Sequence, residues 1–200
     1  MENGSEIYLI RHGQTDWNAQ GRLQGHTDIP LNREGILQAQ ALRDRLQNIK
    51  FRSAFSSDLT RALQTAEIVL NPYEIPIKQT PNLRERSLGS WEGRLKKELP
   101  SIKFSSQQEY LNYKCCPKME SLTETYQRLK EFIQKIPAAT LQGPILLSCH
   151  GGILSSVMYH LEYFPEIRWS IENCAWIKLQ ATNQSLEIIS FEGIIAQNVW

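Results

Sequence analysis

The chain has 200 residues, of which 41% are hydrophobic and 22% charged, and its formal net charge is +1 at pH 7. This composition is typical of a globular protein, and the length suits a single domain over residues 1–200. The balanced charge argues against a nucleic-acid partner, and no apolar run reaches the ~20 residues that a membrane-spanning helix needs.

The N-terminus and the cysteines indicate a cellular compartment. The first six residues are mostly polar and lack the basic and apolar regions of a signal peptide, so we expect a cytoplasmic protein. The four cysteines follow no zinc-binding spacing, and we expect reduced thiols at Cys115, Cys116, Cys149 and Cys174.

The N-terminal region is predicted to form a strand, a loop and a helix. Residues 7–10 are a run of β-forming residues typical of a buried strand. Residues 11–30 are rich in Gly, Asn, Gln and Asp, which indicates an ordered loop. Asn32 suits the N-cap of a helix that continues to about Leu46. The predicted buried face of this helix consists of Ile36, Ala39, Leu42 and Leu46.

The following segment repeats the order of strand and helix. Residues 53–56 predict a second strand, and Asp58 is expected to cap a helix that runs to Leu70. Residues 75–77 predict a third strand, which we place at the sheet edge because its proline cannot donate to a central ladder. Residues 81–93 contain two glycines that favour turns, and we expect a loop there.

A polar segment precedes the next regular helix. Residues 94–119 are lysine-rich and weakly periodic, so we expect short helices packed over one end of the sheet. Ser121 begins a clearly amphipathic helix. Its apolar positions are Leu122, Tyr126, Leu129, Phe132, Ile133 and Ile136.

The C-terminal elements complete the predicted fold. Residues 144–148 predict a strand and residues 151–161 a helix, and residues 175–179 and 186–191 predict a hairpin around Asn183. Strands alternating with helices indicate an α/β protein. We predict a three-layer α/β/α sandwich with a mostly parallel central sheet, an antiparallel edge strand and a small helical insertion over the active site.

Two His-Gly pairs directly follow predicted strands. Arg11, His12 and Gly13 come after the first strand, and His150-Gly151 comes after the strand at 144–148. Because ligands bind at the carboxyl ends of strands in open α/β sheets, we expect both histidines at one site. Arg11 offers a fork of donors suited to phosphate or carboxylate, and Gly13 lets a ligand approach the backbone closely.

Two further residues fit an anion site. Arg61 lies in the first turn of the helix that follows the second strand, and helix N-termini already favour anions. Glu85 lies between two arginines, and its carboxyl can act as a general acid if its pKa is raised. Taken alone, Arg61 also fits an ordinary exposed arginine, and Glu85 also fits a salt-bridged glutamate.

Read together and in order, these segments resemble the histidine phosphatase superfamily, the phosphoglycerate-mutase-like family with an Arg-His-Gly motif. The matching segments are residues 11–18 (RHGQTDWN), 22–31 (RLQGHTDIPL), 56–62 (SSDLTRA), 83–93 (LRERSLGSWEG), 120–121 (ES) and 148–152 (SCHGG). Met119 and Cys149 stand where the family often has Gly and Ser. The chain is more similar to the family's phosphatases than to its mutases.

The resemblance implies a role for each matching residue. It makes His12 the nucleophile that accepts the phosphoryl group and Glu85 the general acid and base. Arg11, Arg61 and His150 are implied to hold the phosphoryl oxygens. Further substrate-binding positions that the resemblance implies are Asn18, Gln24, Gly25 and Gly151. No metal and no cofactor is expected, because the protein's own cations offset the phosphoryl charge.

The expected function is hydrolysis of a small phosphomonoester through a phosphohistidine, with the substrate as the only partner and a monomer or homodimer as the molecule. The alternative is a 2,3-bisphosphoglycerate-dependent phosphoglycerate mutase. Family mutases are typically longer and carry an arginine pair, whereas residues 94–119 offer lysines and no such pair. A second alternative is a catalytically dead binding protein on this fold, which would usually lack a catalytic residue. We expect residues 94–119 to determine substrate specificity.

Overall fold

A computed structural model describes residues 5–137, 139–162, 167–182 and 185–198. The six strands are β1 (Ser5–Arg11), β2 (Ser53–Ser57), β3 (Ile77–Thr80), β4 (Ile145–Cys149), β5 (Ile167–Ala181) and β6 (Leu186–Asn198). The six α-helices are α1 (Asp16–Ala19), α2 (Arg33–Leu46), α3 (Thr60–Leu70), α4 (Gln107–Asn112), α5 (Leu122–Gln134) and α6 (Gly151–Leu161). Short 3-10 helices lie at Asn71–Tyr73, Pro81–Leu83, Gly89–Trp91 and Lys96–Glu98.

All six strands form one sheet in the order β3-β2-β4-β1-β5-β6. The pairs β3 with β2, β2 with β4 and β4 with β1 are parallel. Leu9 in β1 lies opposite Leu147 in β4 and opposite Ile177 in the antiparallel strand β5. The hairpin of β5 and β6 therefore adds an antiparallel pair to one side of a mostly parallel sheet, which confirms the predicted fold class.

Helices cover both faces of the sheet, and the side chains of β1 are therefore buried on both sides. Ile7 and Leu9 point into a core shared with α5 and α6. Tyr8 and Ile10 alternate with them and pack on the opposite face against residues of α2 and α3. Such continuous burial is typical of a parallel strand in an α/β sandwich, and the three predicted layers are present.

Two helix N-termini follow the capping rules read from the sequence. The Asn32 side chain accepts a hydrogen bond from the Gly35 N–H and begins α2. Ser121 caps α5 in a reciprocal arrangement with Glu124. The helix predicted at residues 151–161 is α6. Capping depends on residues within one helix turn, so the start of such a helix can be predicted from the local sequence.

Two expectations about helices are wrong. Ile36 is 41% exposed, whereas Gly35, Ala39, Leu42 and Leu46 form the buried face of α2. Asp58 does not cap α3, because Leu59 occupies the N-cap position without a side-chain hydrogen bond. The Asp58 carboxylate instead accepts two hydrogen bonds from Arg84, at 2.7 and 2.6 Å.

Strand boundaries also differ from the predictions. The predicted third strand begins at Ile77 rather than at residue 75, and it is an edge strand as expected. The C-terminal strands are longer than the predicted segments, and Asn183 lies outside the described residues. The segment 94–119 contains one 3-10 turn and the short helix α4, in agreement with the expected short helices.

Parallel pairing brings three strand ends to one edge of the sheet. Arg11, Ser57 and Cys149 are the last residues of β1, β2 and β4. The chain segments that leave this edge contain His12, the start of α3 and His150. In the described part of the chain, no helix has the length and apolarity needed to span a membrane.

Candidate active site

His12 is held rigidly at the end of β1. Its N–H donates to the Cys149 carbonyl at 3.1 Å, and the residue is only 2% exposed. The ring Nδ1 lies 2.7 Å from the Gly13 carbonyl oxygen, which can only accept. Nδ1 therefore carries a proton, and in the neutral ring Nε2 has a free lone pair. That arrangement is required of a nucleophilic imidazole.

The surroundings of His12 keep its ring neutral. Burial lowers the pKa of His12 well below its usual value, and the charges of Arg61 and Arg11 lower it further. Desolvation and like charge both disfavour the imidazolium form. The Nε2 lone pair is consequently available at neutral pH and below.

The loop that carries His12 is pressed against the start of α2. A Cβ on Gly13 would lie 2.4 Å from the Gly35 carbonyl oxygen, and a Cβ on Gly35 would lie 2.1 Å from the Gln14 carbonyl oxygen. Only glycine fits at both positions, because the neighbouring atoms belong to the backbone. The Gly13 N–H also donates to Thr65 Oγ1 at 3.1 Å, which ties the loop to α3.

Arg61 is a fully buried cation in the first turn of α3. Its guanidinium donates to the carbonyls of Gly25 and Thr27, each at 2.9 Å. Burial lowers its pKa to about 10, so it stays charged at neutral pH. Among the described residues, its Nε has no hydrogen-bond partner. Two backbone carbonyls hold the guanidinium in place, and its Nε–H remains available to an anion.

Arg11 is the second cation of the pocket. It is the last residue of β1, and its guanidinium donates to the Ile171 carbonyl of β5. Burial lowers its pKa, and the opposing charge of Glu85 limits that effect. Its Nε is buried without a partner in the part of the chain that the structure describes.

His150 lies against His12 at the junction of β4 and α6. The two ring centroids are 5.2 Å apart, and the planes meet at 62°. His150 is fully buried, which lowers its pKa well below the ordinary value. Neither of its ring nitrogens has a partner among the described residues. Because unpaired buried polar atoms are costly, these nitrogens and the two arginine Nε atoms favour a polar, anionic occupant.

Glu85 is placed at the mouth of this pocket by backbone donors. The N–H groups of Gly152 and Arg86 donate to its Oε1 at 3.0 and 2.9 Å. A Cβ on Gly152 would lie 2.2 Å from that oxygen, so the glycine is needed for the close approach. His26 Nε2 lies 2.9 Å from the Glu85 carbonyl oxygen and donates to it, a contact that the sequence did not indicate.

The remaining predicted binding residues also reach the site. Asn18, Gln24, Gly25 and Gly151 all line the same cleft as His12. Gln24 Oε1 accepts from Thr15 Oγ1 at 3.1 Å, which fixes the Gln24 side chain. Gly25 has φ of +52° and presents its carbonyl to Arg61.

The cleft has a volume of about 620 Å³ and a strongly basic lining. Glu85 is the one acidic side chain among its described lining residues. Arg22 of the 22–31 segment and Lys96 and Tyr110 of the 94–119 segment also line the cleft. The lining residues that sequence reasoning did not single out include Tyr159 and Arg168. Tyr159 and Arg168 belong to α6 and β5, where no local pattern marks them as site residues.

No group of three or more His, Cys, Asp or Glu side chains in the described residues is arranged to hold a metal ion. The positive charge in the cleft comes from arginines and from Lys96. The expectation of a metal-free site stays a prediction.

Comparison with known proteins identifies the family. The family model described as "Histidine phosphatase superfamily (branch 1)" matches residues 7–192. The chain belongs to the histidine phosphatase superfamily. This confirms the resemblance that the sequence segments indicate, and relatives of the chain are named phosphoglycerate mutase or phosphoglycerate mutase-like protein.

Individual relatives match most of the length of the chain. A "Probable phosphoglycerate mutase GpmB" from Proteus mirabilis is 31% identical over 189 residues, covering 89% of this chain and 86% of the relative. The structure of Bacillus stearothermophilus YhfR matches with a TM-score of 0.77 and 28% identity, covering 92% and 95% of the two chains. The structure of a mycobacterial glucosyl-3-phosphoglycerate phosphatase shares the fold. It matches with a TM-score of 0.74 and 24% identity, covering 97% of this chain and 98% of the other.

Proposed function

We propose that this protein hydrolyses small phosphomonoesters through a phosphohistidine on His12. The observation that carries this proposal is the set of buried nitrogens around His12 Nε2. The Nε atoms of Arg11 and Arg61 and both ring nitrogens of His150 are unpaired among the described residues. A phosphoryl group supplies acceptor oxygens for the two arginine Nε–H groups and for the one ring N–H that neutral His150 carries. It would lie beside a histidine whose Nδ1 proton is held by Gly13.

The first chemical step forms the phosphoenzyme. The Nε2 lone pair of His12 attacks phosphorus, and the bond from phosphorus to the leaving oxygen breaks. Protonated Glu85 gives its proton to that oxygen, so the product leaves as an alcohol. Arg11, Arg61 and His150 stabilise charge on the equatorial oxygens, which is the main task in phosphoryl transfer.

The second step regenerates the enzyme. Water attacks phosphorus, the bond from nitrogen to phosphorus breaks, and His12 returns to its neutral form. The Glu85 carboxylate takes the proton from the attacking water and is then ready for the next cycle. The backbone N–H groups of Gly152 and Arg86 keep the carboxylate in one place throughout.

The cleft supports a small phosphorylated metabolite as substrate. Its volume of about 620 Å³ lies in the range typical of small-molecule sites. Cations at Arg22, Lys96 and Arg168 add to the basic lining, and Tyr110 and Tyr159 provide aromatic surface. We propose that residues 94–119, which contribute Lys96 and Tyr110, select among such substrates.

Phosphoglycerate mutase is the second candidate, because the Proteus mirabilis relative carries that name. A mutase must transfer the phosphoryl group back to bound substrate before water does. Residues 94–119 lack the arginine pair expected of the family's mutases. That difference supports hydrolysis as the main activity.

A screen of phosphate release separates these candidates. The purified protein is incubated with EDTA and a panel of metabolite phosphomonoesters, including 3-phosphoglycerate with and without 2,3-bisphosphoglycerate. Hydrolysis of one or more monoesters supports the proposal. Isomerisation of 3-phosphoglycerate that requires the bisphosphate would identify a mutase instead. Binding of phosphate esters without any turnover would identify a catalytically dead protein.

A further inference from the structure

Strand β5 is interrupted where it passes His12. Its pairing with β6 changes register between Ile171 and Trp176. Cys174, inside this bulge, has φ of +58°, a left-handed conformation that residues other than glycine rarely adopt. Bulges redirect side chains and backbone groups. This one places the Cys174 N–H 3.3 Å from the His12 carbonyl oxygen.

Asn173 makes a second hydrogen bond to the same carbonyl. Its Nδ2 lies 3.1 Å from the His12 carbonyl oxygen. Because a carbonyl oxygen can only accept, this contact fixes which end of the Asn173 amide is the donor. The bulge therefore holds the main chain of His12 with one backbone donor and one side-chain donor.

The same amide also helps to orient Asn18, together with Thr15. Asn173 Nδ2 lies 3.3 Å from Asn18 Oδ1, and the N–H and the hydroxyl of Thr15 each lie 3.1 Å from that oxygen. The Oδ1 of Asn18 is thus surrounded by donors from Asn173 and Thr15. Its Nδ2 has no hydrogen-bond acceptor within the described residues, and Asn18 lines the cleft beside Arg11. Asn18 is left with its donor end available to an anion.

We infer that Asn173 is a positioning residue for phosphoryl transfer. It locks the Asn18 amide with its NH₂ group free for a phosphoryl oxygen, and it steadies the backbone of His12. This inference rests on the proposed function, because the bound group is a phosphoryl group. The contacts cross 155 residues of sequence between Asn18 and Asn173, so they depend on the fold.

A double-mutant cycle tests whether Asn173 acts through Asn18. Wild type, Asn18→Ala, Asn173→Ala and the double variant are compared by kcat/KM for 4-nitrophenyl phosphate and by affinity for inorganic orthovanadate. Asn173→Ala is expected to lower both by about 10-fold in wild type, the value of one hydrogen bond to a charged group. In the Asn18→Ala background the same change is expected to cost less than about threefold.

Two further variants separate positioning from general structure. Asn173→Asp keeps the side-chain size but sets oxygens against the His12 carbonyl and Asn18 Oδ1, and it should lose at least as much activity as Asn173→Ala. Glu187→Gln changes an exposed glutamate of β6 outside the lining of the cleft and should keep wild-type kinetics. The free energy of unfolding is measured for each variant so that kinetic losses refer to folded protein.

The possible results show separately whether the role of Asn173 or the proposed function is wrong. Equal losses from Asn173→Ala in both backgrounds would overturn its action through Asn18, and full activity in Asn173→Asp would overturn the positioning role altogether, while hydrolysis by wild type stands. A wild-type protein that neither hydrolyses the ester nor binds orthovanadate would overturn the proposed function, and the positioning role with it.

Discussion

The pocket around His12 and the rim formed by residues 94–119 are built in different ways. The pocket draws its side chains from β1, α3 and the β4–α6 junction, and His12, Arg61 and His150 are almost fully buried. The rim consists of a 3-10 turn and the six-residue helix α4, and most of its residues are exposed or half-buried.

We propose that this difference separates reaction chemistry from substrate choice. The core holds each side chain of the pocket in place. Its position and charge therefore do not depend on the part of a substrate that lies away from the phosphoryl group. The rim contacts the core through Leu111, which packs with Leu122 and Tyr159, and its last residue, Met119, is fully buried. Residues there can change without disturbing the strand ends. Substitutions in the pocket should therefore impair all substrates, and substitutions in the rim should impair only some.

The largest effect is expected at Arg61. Arg61→Ala should lower kcat/KM for every phosphomonoester by about 10³-fold, because it removes a buried cation from the transition state. Arg61→Lys keeps the charge but not the fork of donors, and it should recover only part of the loss. Arg43→Ala, which removes a half-buried arginine paired with Asp44, is the matched control and should behave as wild type. Selective loss on a few substrates would break the distinction between pocket and rim.

Glu85 should show a dependence on the leaving group. Glu85→Gln is expected to slow alkyl phosphates by about 10²-fold and aryl phosphates by less than about 10-fold, since a phenolate leaves without protonation. Steady-state kinetics across leaving groups of decreasing pKa measures this slope. Equal slowing of all esters would show that Glu85 is not the general acid.

Stability should depend on pH through the two buried histidines. Burial lowers the pKa values of His12 and His150 in the folded state, so an unfolded chain binds protons below about pH 6.5 that the folded one does not. The free energy of unfolding should fall with decreasing pH, by up to about 1.4 kcal/mol per pH unit for each histidine. In phosphate-free buffer, His150→Gln should reduce that slope between about pH 6 and 5. An unchanged slope would contradict the assignment of a neutral, buried His150.

The smallest effect is expected at the rim. Tyr110→Leu should change KM for bulky metabolite esters by about 2- to 10-fold and leave 4-nitrophenyl phosphate turnover unchanged, because only larger substrates reach α4. Tyr73→Leu, in a distant aromatic contact with Phe51, serves as control. If Tyr110→Leu lowered kcat for all substrates by one factor, the rim would belong to the catalytic apparatus.

The sequence predicted those features that depend on local patterns. The N-caps at Asn32 and Ser121, the span of α6 and the strands at 7–10 and 144–148 follow from capping chemistry and hydrophobic periodicity. The catalytic candidates were also predictable, because each lies in a short motif beside a strand or helix end. Motif order along the chain then indicated that they meet at one sheet edge.

Features that depend on distant partners were not predictable. Asp58 forms an ion pair with Arg84, 26 residues further along the chain, and this competing partner removes it from the helix cap. Ile36 is exposed because Gly35, which packs closely against the Gln14 backbone, takes the buried position in this turn of α2. The role of Asn173 arises from a bulge in β5, for which the sequence carries no local signal.

The central claim is that His12 carries the phosphoryl group, and trapping the phosphoenzyme tests it most directly. Wild-type protein is mixed with a phosphomonoester, quenched in alkali and digested, and the modified residue is located by mass spectrometry. The account predicts one phosphoryl group on His12, stable in alkali and lost in acid, that is absent from His12→Ala together with turnover. A phosphoryl group on another residue, or full turnover by His12→Ala, would contradict it.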